Sequence, residues 1–127
     1  MRATLISMLA VIVLAAGVCI FSITTIGHVT SEIDEMRTEV LDMIDAGDLE
    51  EAHVRLQQLA EMWSRHENAL ETIAPHDALH EITGLIIEGN ANLEAGDLDD
   101  FNRSMALLGE ALNHLHEEEA FHFSNIL

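Results

Sequence analysis

Ala46-Gly47-Asp48-Leu49-Glu50-Glu51 and Ala95-Gly96-Asp97-Leu98-Asp99-Asp100 are one motif written twice. In each copy glycine ends a helix, because it tolerates the left-handed backbone that closes the last turn. Aspartate then caps the next helix by accepting a hydrogen bond from a free backbone N–H, and the acids that follow suit the positive end of the helix dipole. Pro75 supplies a third break between Ile73 and His76, since proline lacks an N–H and clashes with the preceding turn. These breaks predict four helices, at about 30–46, 48–73, 76–95 and 97–119.

Apolar spacing supports the division. The second helix carries Leu49, Ala52, Leu56, Leu59, Trp63, His66, Leu70 and Ile73 at 3,4 spacing. The fourth carries Leu98, Phe101, Met105, Leu108, Leu112 and Leu115. Such stripes are the seams of helices packed in a bundle. The first offers Ile33, Met36, Val40, Met43 and Ile44, and the third Leu79, Ile82, Ile86 and Leu93. The two turns lie 49 residues apart, which does not fit the ~34-residue period of tetratricopeptide repeats. Two related helical hairpins do fit it. The predicted fold class is all-α: an up-down-up-down four-helix bundle over residues 28–120, with short connections.

Before the bundle, Ala3 to Gly27 contains no charged residue. As a helix this stretch is roughly 37 Å long, enough for a ~30 Å hydrocarbon core. Residues 1–27 therefore read as a transmembrane anchor. Arg2 precedes the span and Glu32, Asp34 and Glu35 follow it, so the positive-inside tendency places the N-terminus in the cytoplasm and the bundle outside. A cleaved signal peptide is the rival, with small residues at Ala15-Ala16-Gly17. The apolar run to Ile26 is longer than such a segment needs. Residues 121–127 form an apolar tail that either tucks under the bundle or meets the membrane surface or a membrane partner.

The chain has 23 acidic residues, five arginines (2, 37, 55, 65 and 103) and no lysine. A formal charge of −18 repels phosphate backbones, which argues against nucleic-acid binding, and attracts cations or a basic partner. The single cysteine, Cys19, lies in the apolar segment, so there is no disulfide framework and no zinc-thiolate site. Val18 stands where lipid attachment to that cysteine would need a small residue.

Taken together, these features resemble the domain of unknown function 4363 family, small membrane-anchored proteins of spore-forming and related bacteria. The matching features are the apolar N-terminus, Trp63, His76-Asp77-x-Leu79-x-x-Ile82, the Gly-Asp turn before the fourth helix, and the ending Phe121-x-Phe123-x-Asn125-Ile126-Leu127. Members of that family usually carry many lysines, and this chain departs from them there. The resemblance implies an anchored helical protein and supplies no catalytic residues.

Eight histidines are the unusual feature. Counted from the distal turns, His28, His66, His76, His80, His114 and His116 fall within a slab roughly 6 Å thick at the membrane end of the bundle. His66, His76, His80, His114 and His116 are the candidate ligands for a divalent metal such as Zn²⁺, Ni²⁺ or Cu²⁺. A proton sensor built from neighbouring imidazoles is a second reading. In a third, the side chains point outward and never meet. His76-Asp77-x-x-His80 departs from the zinc-protease motif by Asp in place of Glu. Glu50-x-x-His53 and Glu119-x-x-His122 resemble di-iron ligands but belong to opposite ends of the bundle. The sequence thus predicts a non-enzymatic accessory or interaction subunit of a membrane complex, with a metal-binding or pH-sensing domain as the alternative and a sensor ectodomain third. It leaves the oligomeric state open.

Overall fold

Both Gly-Asp turns close as expected. In a computed structural model, which describes the backbone of residues 1–126 and the side chains of residues 1–118, the chain forms α1 (Arg2–Asp45), α2 (Leu49–Leu70), α3 (His76–Glu94) and α4 (Leu98–Ile126). Gly47 and Gly96 are left-handed, with φ of 83° and 76°. The Asp48 N–H donates to Met43 O and the Gly47 N–H to Ile44 O; Asp97 and Gly96 repeat this on Asn92 O and Leu93 O. Each pair satisfies carbonyls that the helix end would otherwise orphan.

The aspartates differ. Asp97 caps α4, its Oδ1 accepting the Asp100 N–H at 3.2 Å. Asp48 makes no side-chain cap bond at the start of α2, so half of that expectation is corrected. The physical reason lies in Asp48's backbone, at φ −87° and ψ 70°, short of the extended ψ that usually aims a capping side chain back at the helix.

Helix ends move in three places. The apolar segment and the first bundle helix run together through Gly27, so α1 is one rod of 44 residues. α2 stops at Leu70 rather than about 73, and Ile73 and Ala74 bond back to Leu70 O in a tight turn. The residue before a proline is pushed out of the helical region, and the β-branched Thr72 and Ile73 favour an early stop. α4 runs on to Ile126, beyond the expected end near 119. The expectation for the tail's side chains lies outside the described residues.

The helices stand at the corners of a square in chain order. Neighbours α1·α2, α2·α3 and α3·α4 pack together, α1·α4 closes the ring, and the diagonals stay apart among the described residues. The core follows the predicted seams: Ile33, Met36 and Val40 on α1, Leu56, Leu59 and Trp63 on α2, all four predicted positions on α3, and Phe101 to Leu115 on α4. Leu49 and Leu98, at the helix starts, are exposed instead. Ile26 and Val29 are buried as well, so the core begins just above the apolar half of α1.

Candidate functional site

Two features stand out: the bare apolar half of α1, and the level where it enters the bundle. Leu5, Ile6, Leu9, Ile12, Val13 and Phe21 are all exposed. Exposed apolar surface on this scale marks a binding or membrane surface. Among the described residues α1 is the one helix long and apolar enough to cross a membrane. Ala16, Cys19, Ser22 and Ile23 are half-buried at 3,4 spacing. They continue the face on which Gly27, Thr30 and Asp34 line a cleft of about 140 Å³ against Gly109, Leu112 and His116 of α4.

Contacts between the helices fix the heights of the histidines. Arg55 on α2 donates to Glu39 on α1, Trp63 to Thr83 on α3, and Asn92 on α3 to Ser104 on α4. Equal steps along antiparallel rods keep equal height. Eleven residues from the first contact reach His28 and His66; three from the second reach His66 and His80; twelve from the third reach His80 and His116. The His116 ring also abuts Gly27 directly, for a Cβ there would sit 3.0 Å from its Cε1.

Sharing a level does not make these side chains converge. Faces of helices at four corners look in four directions. His28 is 79% exposed and lies 3.8 Å from Glu32. His76, His80, His114 and His116 are exposed, while His66 is half-buried, as is the distal His53. Among the described residues, no three His, Cys, Asp or Glu side chains gather closely enough to hold a metal ion. The structure does bring His76 and His80 together, their rings edge to face with centroids 6.5 Å apart.

Polar contacts absent from the sequence reading lie deeper. The Trp63 Nε1–H donates to Thr83 Oγ1 at 2.9 Å, and that hydroxyl, with one proton to give, is 2.9 Å from Glu67 Oε1 and 3.0 Å from Leu79 O. Arg37, only 18% exposed, donates to Asp34 at 2.8 Å and to Met105 O at 3.3 Å. Its guanidinium lies over Gly109, where a Cβ would come within 2.7 Å of Cζ. The mid-helix glycine was the signal for this close approach, legible only once the facing helix is known. At the distal end, a hydrogen bond with the Asp97 side chain, followed by that residue's charge, holds the Asp100 carboxyl above its ordinary value.

A family model described as "Domain of unknown function (DUF4363)" matches residues 20–126. The chain belongs to the DUF4363 family. The match spans the last turns of the apolar half of α1 and the entire bundle. No curated protein and no solved structure matches the chain.

Proposed function

We propose that this DUF4363 protein is a single-pass accessory subunit of a membrane complex. Its N-terminus lies in the cytoplasm, and its bundle is held upright outside the cytoplasmic membrane against another membrane protein. The observation that carries the proposal is α1 itself. One helix is bare and apolar along its first half and is a core element of the bundle from Ile26 onward. No flexible linker intervenes, so the bundle stands at a fixed height above any bilayer that holds the anchor. Arg2 before the span and the acids after it support the orientation. The strongly negative bundle surface favours a partner with basic patches, through contacts that salt screens.

The test is purification of the full chain from its native membranes in mild detergent, with protease protection to establish topology. The expected result is a discrete second protein that co-purifies and is released by salt, and a bundle digested from outside intact cells. Recovery of the chain alone under gentle conditions, or a bundle protected in intact cells, overturns the proposal.

A further inference from the structure

We infer that His76 and His80 form a two-imidazole site for a divalent transition-metal ion of the copper, nickel or zinc class. The two residues stand four apart on α3, so their side chains rise from the same face one turn apart. Their rings already meet edge to face, with centroids 6.5 Å apart and planes at 67°. Two imidazoles sharing one metal at ~2.0–2.1 Å need centroids roughly 5 Å apart in tetrahedral geometry. Closing that gap takes side-chain rotation alone, and both residues are exposed and free to turn.

Other histidines do not offer this. His114 and His116 are two apart on α4, a spacing that aims them to different sides of the helix. His28 and His66 each stand on a helix with no histidine four residues away. The chain thus offers one pair of histidines at chelating spacing on a single helix among its described side chains. Asp77 and Glu81, both exposed beside the pair, raise the local concentration of cations. With two protein ligands, water fills the remaining positions and the ion exchanges readily. Imidazole selects copper, nickel and zinc, with copper the tightest. Magnesium and calcium prefer oxygen and go to the carboxylates instead. The site rests on the α3 geometry alone and is independent of the accessory role.

The experiment is calorimetric titration of the full chain, without a polyhistidine tag, with Ni²⁺ in non-ionic detergent and excess Mg²⁺. Expected is one saturable event per chain, weakened ~100-fold by His76→Ala or His80→Ala because the second contact is no longer intramolecular. His114→Ala leaves it unchanged. Gly84 has open space for a side chain, so His76→Ala combined with Gly84→His rebuilds the spacing one turn along and restores binding. Far-UV circular dichroism checks that each variant stays helical, and Cu²⁺ electron paramagnetic resonance reports two coordinating nitrogens. No saturable event, an isotherm that neither alanine variant alters, or no recovery in the rebuilt pair overturns the inference.

Discussion

Two glycines on one helix make the packing of this bundle measurable. Gly84 and Gly89 both lie within α3, and replacing either with alanine gains about 1 kcal/mol of helix propensity. Their surroundings differ. A Cβ on Gly84 meets nothing within 4 Å, whereas one on Gly89 falls 2.5 Å from the Met105 Cε. Met105 is 0% exposed, so its methyl group has no solvent to retreat into. Restoring ordinary contact at ~3.5–4.0 Å requires a shift of about 1 Å or more in close-packed surroundings. Overpacking of this kind costs ~1–3 kcal/mol. Gly84→Ala is therefore expected to stabilise the bundle by about 0.5–1 kcal/mol, and Gly89→Ala to fall ~1–3 kcal/mol below it. Trp63, the only tryptophan and 2% exposed, reports urea unfolding in detergent by its fluorescence. Met105→Ala costs ~2–5 kcal/mol by itself, but in that background Gly89→Ala is expected to become neutral or stabilising. Equal effects at the two glycines, or no coupling between positions 89 and 105, would refute the close approach of α3 and α4.

Three further outcomes follow from the same contacts. Thr83→Val leaves the Trp63 N–H without its acceptor and is expected to cost ~1–3 kcal/mol in the same unfolding assay; an unchanged midpoint would show that water replaces the hydroxyl. Asp97→Asn keeps a capping oxygen but removes a charge, so the Asp100 carboxyl is expected to fall back toward its ordinary value, read by NMR titration. A carboxyl raised in the folded state is one that folding helps to protonate, so this pair lowers stability above the Asp100 titration range and the loss fades as pH falls through it. Val13→Arg places a charge at mid-span at ~2.5–3.5 kcal/mol and is expected to shift the protein out of the membrane fraction, with the unmodified chain as reference.

Much of the fold was legible because short-range chemistry set it. Gly47 and Gly96, each followed by an aspartate, and Pro75 mark the breaks locally, and the 3,4 stripes on α2 and α4 specify one buried face. What the sequence left unread depended on neighbours. Gly27 shows no neighbour on paper, yet within α1 it is a place where His116 comes close. Asp48 and Asp97 occupy equivalent positions, but only one bonds as a cap. The candidate site split along the same line. Counting residues from a turn gives height, and the cross-helix contacts put His28, His66, His80 and His116 on one level. Direction around each helix axis depends on where its neighbours stand, and among the described residues no three of these side chains gather to hold a metal ion. The His76–His80 pair needed no neighbour, since both residues share a helix.

The unbroken α1 also makes the molecule a lever. From Ile26 to Asp45 it rises roughly 29 Å. An anchor leaning by ~20°, the usual inclination in a bilayer, displaces the Gly47 end sideways by about 10 Å. If the apolar half of α1 spans a bilayer, its inclination is thereby geared to the position of the distal turns. A surface docked near those turns would feel the lipid below through rigid rotation alone.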